Sequence, residues 1–164
     1  MAKIQKLAQN LVDRIKAGEV VERPASVLKE LVENSIDAGA KHIHIDSRRG
    51  GIELLRVVDD GEGMDKSDLL LSVTQSATSK ISKFSDLDDL SSFGFRGEAL
   101  AATASVSKMS LCSTFKNATE GYRVEIEAGE MKGPFTAGAR QGTIIEVREL
   151  FYNTPARKKF LKSE

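Results

Sequence analysis

An α+β domain is predicted by three observations. Helices cluster early, with two helical patterns in the first quarter of the chain, up to Gly39. A clean apolar/polar alternation follows at residues 42–46. Three further strand-like runs, at 108–115, 121–129 and 142–150, fill the second half and are expected to pair antiparallel. No internal repeat or linker divides the sequence, and 164 residues suffice for one domain with a real core.

Composition narrows the class. Hydrophobic residues make up 40% and charged residues 29%, a globular mixture rather than a disordered one. The net charge is zero, so bulk charge points to neither nucleic acid nor membrane, and any basic surface must be local. A lone Cys112, in the apolar run "MSLCSTF", excludes an intrachain disulfide and reads as a small core residue. That usage fits a reducing interior, cytoplasmic in a bacterium or nuclear in a eukaryote. No run approaches signal-peptide or membrane-span length, so no membrane partner is expected.

Taken in order, residues 7–17 place Leu7, Leu11, Val12 and Ile15 at helical spacing, with Gly18 as the expected stop. "VVERPAS" is an extended link, Pro24 suits the first turn of a second helix, and Gly39 suits its end. At 100° per residue from Val27, this helix gathers Val27, Leu28, Leu31, Val32, Ser35, Ile36 and Ala38 between about 0° and about 180°. Glu30 and Asn34 fall at about 300° and about 340°, one turn apart at the edge of that face, with no obvious ion-pair partner on the helix.

"HIHID" is a strand with Ile43 and Ile45 on one face. His42 and His44 then sit on the other as surface residues rather than metal ligands. "RRGG" is a turn, and "IELLRVVDD" completes a hairpin. Asp65 caps a helix over 66–75. Residues 76–97, "SATSKISKFSDLDDLSSFGFRG", lack sustained periodicity and are long for a connection, as lids and binding loops are. "EALAATASVS" is a small-residue helix for close packing. The strands of the second half are separated by "KNATE" and "GEMKGPFTAGARQG", and a short basic helix, "PARKKFLKSE", ends the chain.

Some motifs carry chemistry. "VVDDGEGMD" runs an apolar strand into acids and glycines. That is either a plain turn or a buried Asp that accepts a hydrogen bond from a ligand. "FGFRGEAL" sets Arg96 between two glycines before a helix, an arrangement that suits an anion. "ATSKI" offers two hydroxyls and Lys80. There is no Gly-Lys dipeptide for a Walker-type loop, no HExxH, no Cys-rich zinc set and no GxSxG elbow.

Together, "KELVENSIDAGA", "VVDDGEGM", "ATSKI", "GFRGEAL" and "GTIIEVRELFYNTPARKKFL" closely resemble the N-terminal ATPase domain of the MutL family of DNA mismatch-repair proteins. That family belongs to the GHKL superfamily, with the DNA gyrase B subunit, heat-shock chaperone ATPases and histidine kinases. The resemblance covers essentially the whole chain. It implies the Bergerat ATPase fold, a two-layer α/β sandwich whose mixed, mostly antiparallel sheet carries helices on one face.

The resemblance also implies roles. Glu30 would be the general base, and Asn34 would coordinate the Mg²⁺ that bridges the ATP phosphates. Asp59 would accept the adenine amino group, with Gly61, Gly63 and Met64 beside the base and Thr143 completing the pocket through water. Thr78, Ser79 and Lys80 would form a phosphate- and ribose-side loop. Gly94, Phe95, Arg96, Gly97, Glu98, Ala99 and Leu100 would belong to the lid, segment 76–97 and the start of the next helix.

Many relatives carry an aromatic residue or His before the "TSK" loop, where this chain has Gln75 and Ser76. Residues 1–22 would form an arm used in ATP-dependent homo- or heterodimerisation. A second domain with a γ-phosphate lysine, and a C-terminal dimerisation domain, would lie outside these 164 residues, making turnover by this stretch alone weak. The implied partners are ATP, Mg²⁺, a MutS-type mismatch-recognition protein and DNA. Arg157, Lys158, Lys159 and Lys162 would either touch DNA or form a solvated face. The alternative function is a nucleotide-binding regulatory module without turnover; another superfamily branch is disfavoured by "GFRGEAL" and "FYNTPAR".

Overall fold

A computed structural model describes residues 4–74, 98–138 and 140–161. The expectations for 76–97, and for Gln75 and Lys162, lie outside the described residues. The elements run α1 (Gln9–Val20), α2 (Pro24–Asp37), β1 (Ile43–Arg48), β2 (Leu54–Asp59), α3 (Lys66–Ser72), α4 (Ala99–Ser105), β3 (Lys108–Thr114), β4 (Gly121–Glu127), β5 (Glu130–Ala137), β6 (Gly142–Arg148) and α5 (Pro155–Lys159). The strands form one sheet in the order β1-β2-β6-β3-β4-β5, and every pairing among the described residues is antiparallel. The mostly antiparallel sheet expected is the one found among the described residues.

Alternation along the strands builds the two layers. Leu55 and Val57 of β2, Met109 and Leu111 of β3, Val124 and Ile126 of β4 and Ile145 and Val147 of β6 share one face. They pack with Val27 and Leu31 of α2, Leu69 of α3 and Ala102 of α4 in one core. The opposite face carries Arg56, Ser110, Glu125 and Glu146, none of them buried, with Arg56 bonded to Glu146 at 3.1 Å. Cys112 points to this face; it is only partly buried, and that burial pushes its thiol pKa up.

Several local expectations hold. Pro24 opens α2, Gly39 (φ +73) closes it by donating to Ile36 O, and the Asp65 side chain caps α3 by accepting the Asp68 N–H at 2.8 Å. α3 ends at Ser72 rather than near 75. Of α2's expected apolar face only Val27, Leu31 and Ser35 are buried, and Ile36 is exposed; Ile45 of edge strand β1 is exposed too.

Two corrections concern glycine and proline. Gly18 does not stop α1, which continues to Val20. A Cβ at Gly18 would lie 2.9 Å from Arg157 Nη2, so the glycine makes room for the α5 guanidinium, whose Nη1 donates to Val21 O. Arg157 is therefore an internal clamp, while Lys158 and Lys159 are exposed. The apolar residues expected to bury α1 do not: Leu7, Leu11 and Ile15 are exposed, and Ala17 and Val21 are buried instead. In the second half, "EMKGPFTA" is not a connection but strand β5. Its Gly133-Pro134 pair argues against a strand in sequence, but β5 lies at the sheet edge, where a missing N–H is tolerated, opposite a register shift between Arg123 and Glu125.

Among the described residues no helix is long and apolar enough to cross a membrane.

Candidate nucleotide site

The inner face of the sheet changes character in a single step. The row Val57–Ile145–Leu111 is apolar core, and the next row of the same parity is Asp59–Thr143–Ser113. All three polar residues are buried, and Ser35 of α2 is buried above them. Buried polar groups that cluster at a strand end require partners, and here they find one another.

Asp59 receives one donor on each carboxylate oxygen. Ser35 Oγ donates to Oδ2 at 2.7 Å, and the Gly61 N–H donates to Oδ1 at 2.9 Å. The first bond ties α2 to the end of β2; the second shapes the loop that follows. Gln141 Nε2 donates to Gly61 O at 3.1 Å, and the Met64 N–H donates to Ser113 Oγ at 2.8 Å. Ser113 Oγ stands 2.8 Å from Thr143 Oγ1. A cavity of about 300 Å³ borders this cluster at the end of the sheet, lined by Asp59, Ser113 and Thr143, by the β5–β6 connection at Arg140 and Gln141, and by Cys112 and Ile144 of the opposite face. Neighbouring Asp60 plays a different part. The His42 N–H and ring, with the Lys41 N–H, hold its carboxyl well below the usual aspartate value and pin β1 to the exit of β2.

The glycines of the 60–65 loop make room for the protein's own chain. A Cβ at Gly61 would meet Ala38 Cβ and O at 2.9 Å. At Gly63 (φ +74) it would fall 2.0 Å from Thr114 O, and at Gly142 (φ +111) 2.0 Å from Asp59 O. The expected approach of a ligand to Gly61 and Gly63 is thus not needed to explain them; close contact of the loop with the end of α2 at Gly61 and with β3 at Gly63 is enough.

Glu30 and Asn34 lie on α2, both partly buried, with Asn34 next to the Asp59-bonded Ser35. Among the described residues no ion pair reaches Glu30; the neighbouring Lys29–Glu33 pair closes at 3.4 Å. Glu98 is the N-cap of α4, and Ala99 and Leu100 open its first turn, one residue later than expected. α4 packs against α1 and α2. Thr78, Ser79, Lys80, Gly94, Phe95, Arg96 and Gly97 lie outside the described residues.

Four participants escaped the sequence reading. Ser35 and Ser113 left a trace: each interrupts an apolar series, Val27–Leu31–Ser35 on a helix and Met109–Leu111–Ser113 on a strand. Gln141 and Gly142 left none, since their part depends on the β5–β6 connection.

Comparison with known proteins shows the family. The family profile described as histidine kinase-, DNA gyrase B-, and HSP90-like ATPase matches residues 22–141.

The chain belongs to this ATPase family.

Within the family it is similar to MutL proteins. It is 50% identical over 163 residues to the DNA mismatch repair protein MutL of Akkermansia muciniphila, covering 99% of this chain and 26% of that protein. It is 52% identical over 164 residues to MutL of Elusimicrobium minutum, covering 100% of this chain and 27% of that protein. The chain thus spans about a quarter of the length of the curated relatives it matches. Among solved structures, the Aquifex aeolicus MutL ATPase domain complexed with ADP is 37% identical with a TM-score of 0.67, over 88% of this chain and 49% of that one. The N-terminal domain of a DNA repair protein matches with a TM-score of 0.74 at 32% identity, over 90% and 42%.

Proposed function

We propose that this chain binds and hydrolyses ATP as the switch module of a MutL-like mismatch-repair protein. The observation that carries the reading is Asp59: a buried carboxylate at a strand end, each oxygen already given one donor by the protein, beside a cavity. Each oxygen keeps acceptor capacity. Such a group welcomes the exocyclic amine of adenine and repels the carbonyl oxygen that guanine carries there.

Gly61, Gly63 and Met64 hold the loop under the base, and Thr143 contacts it, directly or through water. Glu30 takes the proton of the attacking water, a step for which its carboxylate must not be tied up by a neighbouring cation. Positioning and charge stabilisation supply most of the rate. Thr78, Ser79, Lys80 and the 94–100 segment would face the phosphates.

The donor set fits Mg²⁺. Among the described residues no group of three or more His, Cys, Asp or Glu could hold a metal. An ion here would take the Asn34 side-chain oxygen, with phosphate and water oxygens completing its shell, as this hard cation prefers. It would supply charge neutralisation at the phosphates.

In the whole protein the module would dimerise on binding ATP and signal between a MutS-type mismatch-recognition protein and downstream factors. The exposed stripe Ile4, Leu7, Leu11 and Ile15 supports the 1–22 arm as the dimerising element. Exposed Lys158 and Lys159 suit weak contact with DNA phosphates.

Phosphate release from ATP tests the enzymatic reading. Release dependent on Mg²⁺, abolished by EDTA and slower than that of a longer chain carrying the following domain, is expected. No release above background, with binding intact, would favour the regulatory module without turnover.

A further inference from the structure

Ser113 is fully buried at the centre of the cluster, and none of the roles above uses it. Its oxygen accepts the Met64 N–H. A serine hydroxyl has one proton to give. Two acceptors stand within reach, Thr143 Oγ1 at 2.8 Å and Gly142 O at 3.2 Å. Across the 2.8 Å contact either hydroxyl can donate; the 3.2 Å reach to Gly142 O is long for a hydroxyl proton, which favours Ser113 as the donor to Thr143. A Thr143 oxygen that receives a proton from inside the protein has its own proton left to turn toward the cavity.

We propose that Ser113 is a positioning residue that fixes the Thr143 hydroxyl as a donor toward the bound base, and so sets the preference for adenine over guanine. The proposal rests on reading Asp59 and Thr143 as the pair that faces the base. Adenine's edge offers an amino donor next to a ring-nitrogen acceptor. Guanine offers a carbonyl acceptor next to an N–H donor. An acceptor at Asp59 beside a donor at Thr143 complements the first pattern and opposes the second at both positions, directly or through one water. A Thr143 hydroxyl free to rotate would present a lone pair as readily as a proton, leaving Asp59 to discriminate alone.

The test is calorimetric titration of the 164-residue chain with non-hydrolysable ATP and GTP analogues and Mg²⁺. The variants are S113A, S113T, T143V and S113A/T143V. S113A is expected to lower the ATP-to-GTP affinity ratio by about three- to tenfold, the share of one neutral hydrogen bond. S113T, which keeps the hydroxyl, is expected to restore it, and S113A should change the ratio no further in the T143V background. Should S113A not fold, S113C, with a poor donor of similar size, is expected to act in its place.

A purely structural Ser113 would weaken both analogues equally. An unchanged ratio in the S113A or S113C variant of a selectively binding protein overturns this proposal alone. A wild-type chain that binds neither analogue overturns it together with the nucleotide-site reading.

Discussion

Replacing Glu30 by Ala is expected to lower ATP turnover by about a hundredfold to ten-thousandfold, the usual contribution of a positioned general base. Affinity for a non-hydrolysable analogue should change little. The separation follows from where Glu30 sits. It is half-buried on α2, one turn before Asn34, and forms no ion pair among the described residues. The binding network of Ser35, Asp59, Gly61, Ser113 and Thr143 does not include it. Its loss removes a proton acceptor without unpinning α2, because Val27 and Leu31 hold the helix to the core and Ser35 holds it to Asp59. Single-turnover phosphate release beside analogue binding is the check. Turnover unchanged in the variant would move the base elsewhere, and equal loss of binding and turnover would make Glu30 a binding residue.

Gly63→Ala is expected to be strongly destabilising. The new Cβ would fall 2.0 Å from Thr114 O, and the backbone is at φ +74. Overpacking and left-handed strain each cost about 1–3 kcal/mol, for a combined loss of about 2–6 kcal/mol. For a domain of this size that is roughly 5–15 °C in melting temperature. Gly129 is the control: φ is +80, but nothing lies within 4 Å of an added Cβ. Gly129→Ala should therefore show the strain alone, roughly half the loss at Gly63. Equal losses at the two positions would mean that backbone conformation, and not the contact with β3, sets the cost. The Gly63 variant should also lose nucleotide affinity, because the same contact holds Met64 over Ser113.

Local chemistry made much of the fold legible in the sequence. Pro24 and Gly39 bracket α2, Asp65 caps α3, alternation marks β1, and strand-like runs mark β2, β3, β4 and β6. What failed was set by tertiary contact. Gly18 reads as a helix stop only when Arg157, 139 positions away by subtraction of the two numbers, is ignored. β5 hides behind Gly133 and Pro134, whose costs vanish at an edge. The exposure of Leu11 and Ile15 contradicts a simple reading of helical periodicity, which records an apolar face but not what covers it.

The site divides the same way. Asp59 and the E-x-x-x-N helix stand out as motifs, and the register of β2, β6 and β3 aligns Asp59, Thr143 and Ser113. That register cannot be read from any one segment. Nor can the finding that Gly61, Gly63 and Gly142 serve close approaches within the protein.

The central claim is that Asp59 reads an adenine nucleotide. Calorimetric binding of a non-hydrolysable ATP analogue with Mg²⁺, on the wild-type chain and on Asp59→Asn, tests it most directly. A charge-assisted bond of about 1.5–3 kcal/mol predicts affinity for the wild type and a loss of about ten- to a hundredfold in the variant. Equal affinity of the two proteins would place the base elsewhere and contradict the claim.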